Sequence, residues 1–73
     1  MPKLGIFSGQ EVRSLLEKEG FVLVRQKGSH LILQKQVPGS TVTVPVPNHP
    51  EIRIGTLQSI IRQSGVPKQK FLR

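Results

Sequence analysis

Apolar positions recur along this chain with two periods, one helical and one strand-like. After a loose lead-in of five residues, Val12, Leu15 and Leu16 fall at helical spacing and form one stripe, with Glu19 the next position in the series. Ser8-Gly9-Gln10-Glu11 ahead of the stripe has the S-x-x-E form of a capping box. Gly20 supplies a left-handed stop, so the pattern predicts a helix over residues 9–19. Phe21 to Gln26 is aromatic and β-branched, bounded by glycines and too short for a helix, and reads as a strand. Lys27-Gly28 is the expected turn, and His30 to Lys35 the returning strand of a hairpin. Val37-Pro38-Gly39-Ser40 breaks the chain. Residues 41–46 then alternate, valines one way and Thr41, Thr43 and Pro45 the other, as in a half-buried strand. Pro45 lacks a ladder donor and marks a strand end or an edge. Residues 47–51 form a proline-rich loop. Gly55-Thr56 opens a second helix carrying Leu57, Ile60, Ile61 and Ser64, with Gly65 as its stop and Pro67 beyond. The basic tail from Lys68 to Arg73 is read as partly disordered.

The order is α-β-β-β-α, an α+β fold. A three-stranded antiparallel sheet with both helices on one face buries both amphipathic helices and leaves the other sheet face open. With 73 residues, a single domain over 1–73 is expected, its core at about 8–66 and its basic tail at 67–73. Strand alternation puts His30, Ile32 and Gln34 on the open face and turns Leu31, Leu33 and Lys35 toward the helices. A two-residue Lys27-Gly28 turn sets Arg25 opposite His30, whereas a three-residue turn with Gly28 in a bulge sets Val24 there; the sequence is compatible with both. In either register Ile32 and two residues of the first strand leave an apolar patch on the open face, which suggests a partner surface.

Charge changes this picture. Eleven Lys and Arg against four Asp and Glu give a net charge of +7. Such an excess on a small surface draws polyanions, nucleic acid first and an acidic protein second. The chain has no cysteine, which excludes disulfides, thiolate metal sites and cysteine nucleophiles. No cluster of Asp, Glu and His offers a metal site, and so thin a core leaves little room for a large cofactor. No apolar run approaches the ~20 residues of a membrane span, and the first residues lack the apolar core of a signal peptide, so a cytoplasmic protein is expected. Tyrosine and tryptophan are absent, so base stacking is poorly supplied and RNA binding is expected to be mostly electrostatic.

The candidate chemistry centres on His30. Imidazole can take and give a proton near neutrality. On an open face beside Lys27 and Arg25 it could remove the proton from a ribose 2′-OH, while the cations offset charge developing on the phosphorane oxygens. Lys27, Arg25 and Ser29 are candidate RNA contacts, although a turn hydroxyl equally often binds its own backbone. Gly28 is expected at positive φ, where it places Ser29 and His30. His49 is read chiefly as pinning its loop through a ring hydrogen bond, with a second catalytic role as the alternative. Lys35 is read as a solvated edge charge, and Arg62, Lys68, Lys70 and Arg73 as a possible extension of an RNA track.

Three segments, "LLEKEGFVLVRQKGSH", "VTVPVPNH" and "GTLQSIIRQSGV", in this order and at these spacings, resemble the HicA (YcfA-like) toxin family over about residues 8–66. The resemblance implies a small RNA-cleaving toxin, an mRNA interferase of a type II toxin–antitoxin pair, with a fold similar to a double-stranded-RNA-binding domain. It implies that His30, in the G-S-H motif, is the catalytic histidine. The implied partners are single-stranded mRNA and a HicB-like antitoxin that covers the active surface, with no metal or cofactor. Two positions depart from the pattern: Leu31 stands where many relatives have a polar residue, and "QVPGS" at 36–40 carries no basic residue. The competing readings are a non-catalytic RNA-binding module and an inactive toxin that retains only antitoxin binding.

Overall fold

The computed structural model describes residues 4–72. Its elements run α1 (Gly9–Lys18), β1 (Val22–Lys27), β2 (His30–Val37), β3 (Ser40–Pro47) and α2 (Ile54–Ser64), followed by one 3-10 turn at Lys68–Phe71. The order is α-β-β-β-α, as expected, with the three strands antiparallel in the order β1-β2-β3.

Helix α1 begins as its sequence dictates. Ser8 Oγ accepts from the Glu11 N–H at 3.1 Å, and the Glu11 carboxylate accepts from the Ser8 N–H at 2.9 Å, a complete capping box. The helix ends in a Schellman motif: the Phe21 N–H donates to the Leu16 carbonyl and the Gly20 N–H to that of Glu17, with Gly20 at φ 99°. Phe21 therefore belongs to the helix stop rather than to the strand expected from residue 21, and β1 opens at Val22. Its ring is buried, as is Leu16 on the facing turn, which is the apolar contact that accompanies this motif.

Leu31 and Leu33 of β2, with Val44 and Val46 of β3, form the sheet's contribution to one apolar cluster. Val12 and Leu16 of α1 and Leu57 and Ile60 of α2 cover them from the same side. Leu31 is thus a core residue, which accounts for its apolar character next to the motif histidine.

The chain ends depart from expectation. The described residues of the lead-in and of the tail pack together: Leu4 bridges Leu72, the Gly5 N–H donates to the Phe71 carbonyl at 3.1 Å, and Phe7 and Phe71 are buried. Their rings meet edge to face, with centroids 5.8 Å apart. The reading of the tail as partly disordered is corrected over its described residues, because Phe71 supplies apolar area that a thin core lacks. Lys70 ties the same turn to the end of α1 through Glu19 at 3.8 Å.

Candidate nucleic-acid interface

The β1–β2 hairpin closes with Lys27 opposite His30, which makes Gly28-Ser29 the two-residue loop. Both registers expected from sequence are corrected by this pairing. Gly28 has φ 59°, and Ser29, like every other non-glycine described, does not take a positive φ. Glycine at the first central position with a negative-φ residue after it is the type II′ arrangement, whose twist suits a hairpin. The Gln26 amide braces the loop by donating to the Gly28 carbonyl at 3.2 Å.

Further along, the register shifts between Leu23 and Arg25. Val24 is the extra residue of a β-bulge, so Val24 and Arg25 both stand against Ile32. The bulge keeps Leu23 and Arg25 on opposite faces. Lys27 and Arg25 then lie on the open face in consecutive pairs, beside His30 and Ile32 respectively. Val22 and Val24 are 62% and 48% exposed, and with half-buried Ile32 they form the expected apolar patch next to these cations.

On the other side of His30 lies β3, paired His30 to Pro47 and Ile32 to Pro45. The ladder runs one step past the strand ends, because the Asn48 N–H donates to the Ser29 carbonyl at 2.6 Å. Asn48 Oδ1 accepts from Gln10 Nε2 of α1 at 3.1 Å, and the His49 carbonyl accepts from the Gly9 N–H at 2.9 Å. A Cβ at position 9 would strike the Pro47 carbonyl oxygen, so glycine there lets the first turn of α1 lie directly on this segment. The β1–β2 turn and the end of β3 therefore meet at His30, and the start of α1 anchors the segment that follows β3. The pinning role expected of the His49 ring falls to its backbone; the ring is exposed and, among the described residues, has no hydrogen-bond partner. Gln10 and Asn48 escaped the sequence reading, since nothing in local spacing links residues 38 positions apart.

The electrostatics are lopsided. No strand carries a carboxylate: Glu11, Glu17 and Glu19 lie on α1 or at its C-terminal cap, and the fourth acid, Glu51, is exposed in the loop between β3 and α2. Glu17 pairs with Arg13 at 3.5 Å and Glu19 with Lys70, so the acids neutralise cations on the helix side. Arg25, Lys27 and the exposed His30 are left on a sheet without opposing carboxylates. Such unpaired cations attract phosphate most strongly. Arg62 and Lys68 line a shallow groove with Leu4, Gln58 and Ile61, Lys70 turns to Glu19, and Arg73 lies outside the described residues. Lys35 is half-buried, and its Nζ lies over the Phe21 ring, 5.9 Å from the centroid, on the helix side of the sheet. The phenylalanines are all buried, and two of them pair, so none can stack on a base.

Among the described residues no group of three or more His, Cys, Asp and Glu could hold a metal ion. No helix among them is long and apolar enough to cross a membrane. No curated protein and no solved structure gives a significant match to the chain. A protein-family comparison does: the family described as the HicA toxin of bacterial toxin–antitoxin systems matches residues 9–66, from the first residue of α1 to just beyond α2. That match covers most of the chain and takes in every element that surrounds His30, and the chain accordingly belongs to the HicA family of bacterial toxins.

Proposed function

We propose that this toxin is an endoribonuclease that cleaves single-stranded mRNA in the cytoplasm without a metal ion, with His30 as general base. The observation that carries this reading is the setting of His30. It is exposed at the mouth of a hairpin, opposite Lys27, with Arg25 on the same face and no carboxylate on the sheet. His30 takes the proton from a ribose 2′-hydroxyl, and the 2′-oxygen attacks the adjacent phosphorus. Lys27 and Arg25 bind the phosphate and stabilise the charge that grows on its equatorial oxygens. Ser29, whose hydroxyl has no hydrogen-bond partner among the described residues, donates to the same group. The antitoxin is of the HicB type and covers this face, where Val22, Val24 and Ile32 supply apolar contact beside the cations.

The test is incubation of wild-type protein and His30→Ala with a long single-stranded RNA in EDTA. Cleavage by wild type alone, leaving 2′,3′-cyclic phosphate and 5′-hydroxyl ends, is the expected result. Cleavage by the folded His30→Ala variant at the wild-type rate would remove His30 from the mechanism. No cleavage by either protein would leave a binding module or an inactive toxin.

A further inference from the structure

Cleavage by this route has a second requirement. As the 2′-oxygen attacks, the bond from phosphorus to the 5′-oxygen breaks, and an alkoxide departs slowly unless it is protonated. His30, occupied with the 2′-proton on the attacking side, cannot serve the leaving oxygen at the same moment. The chain has two histidines, and the fold brings the second to the same end of the sheet.

The placement of His49 follows from the ladder. Asn48 stands opposite Ser29, one step beyond the His30–Pro47 pair. Its side chain turns toward α1, where it meets Gln10. β3 ends at Pro47, and the exposed His49 follows two residues later; the strand's alternation, carried past its end, assigns it to the side opposite Asn48, the open face that carries Pro47 and His30. The backbone is held on both sides of the Cα of His49, by the Asn48 N–H on the Ser29 carbonyl and by the Gly9 N–H on the His49 carbonyl. The imidazole itself is exposed and unpartnered among the described residues. A fixed backbone beneath an exposed imidazole suits proton transfer better than it suits support of the loop, which the backbone already provides.

We propose that His49 is a second catalytic residue, the general acid for the 5′-oxygen; this rests on the endoribonuclease reading above. Neutral His30 accepts the 2′-proton, the new bond from the 2′-oxygen to phosphorus forms, the bond to the 5′-oxygen breaks, and protonated His49 delivers its proton to that oxygen. The products are a 2′,3′-cyclic phosphate and a 5′-hydroxyl, and exchange with water resets both rings.

The deciding experiment uses an oligoribonucleotide containing one bond that the wild type cuts, made with its ordinary 5′-oxygen and again with sulfur in that bridging position. Sulfur leaves without needing a proton. His49→Ala and His49→Asn are expected to cut the oxygen substrate about 10²–10⁴-fold more slowly than wild type. On the sulfur substrate both are expected within a few-fold of wild type, while His30→Ala stays slow on both. Rescue also establishes that the variants are folded. Full activity of the His49 variants on the oxygen substrate would overturn the proposal, as would equal losses on both substrates or rescue of His30→Ala instead. If the wild type cuts neither substrate, the ribonuclease reading itself falls and takes this inference with it.

Discussion

Phe71 lies five residues beyond the family match, in a stretch whose sequence suggests a loose basic tail, yet it is 0% exposed and packs edge to face on Phe7. Removing its ring should therefore weaken the whole domain. Phe→Ala in a core costs about 3–5 kcal/mol, the lost transfer energy plus the cavity left behind. A further share of ~0.5–1.5 kcal/mol is associated with an aromatic pair and overlaps that range. Against this, a chain of 73 residues is expected to have a total stability of roughly 4–11 kcal/mol. Phe71→Ala should thus remove roughly a quarter or more of the stability, and near the lower limit it should leave the protein largely unfolded at 37 °C. Urea denaturation followed by far-UV circular dichroism measures this directly. With a slope of about 1–2 kcal/mol/M, the midpoint should fall by at least ~1.5 M. Phe71→Leu, which keeps most of the apolar volume, should recover much of the loss. A Phe71→Ala midpoint within the equivalent of ~1 kcal/mol of wild type would refute the assignment of the tail to the core.

Two further outcomes follow from the contacts around His30. Gly9→Ala forces a methyl into the Pro47 carbonyl and should cost about 1–3 kcal/mol of stability in the same denaturation assay, because the neighbour is backbone and cannot swing aside. The same variant should cleave RNA more slowly than an equally destabilised core variant, since the segment from Pro47 to His49 moves with it. In RNA binding across a salt series, Lys27→Ala should lower the log–log slope by about 0.7, the value for one phosphate contact on a single strand. Arg13→Ala, on the helix side and paired with Glu17, should leave that slope unchanged.

The elements legible in the sequence are those encoded locally. Ser8 and Glu11 are three positions apart and specify their own cap, Gly20 ends the helix at the residue that needs positive φ, and the valines of β3 alternate as their burial does. The hairpin register was not legible, because a single glycine at 28 satisfies more than one turn and the choice is made by pairing with β2. The bulge at Val24 leaves no sign in composition. Phe7 and Phe71 each sit in a short apolar pair, Ile6-Phe7 and Phe71-Leu72, without periodicity, and reveal themselves only when the two ends of the chain meet. The candidate site divides in the same way. Lys27, Ser29 and His30 are neighbours in sequence and were found together, whereas Gln10, Asn48 and His49 join them only through a ladder that continues past Pro47.

The prolines of β3 have a consequence for what the sheet can accept. Pro45 and Pro47 have no N–H, and they sit at alternate positions opposite Ile32 and His30. The positions of that series direct their amides away from β2, so over half the length of the strand the outer margin has carbonyls but no donors. A foreign strand laid along it would find Thr41 and Thr43 able to donate and nothing beyond them. At the opposite margin the extra residue Val24 breaks the spacing that a straight partner would need. A sheet with one face bare thus has both flanks blunted against self-templated growth, which leaves that face as the surface open to a partner.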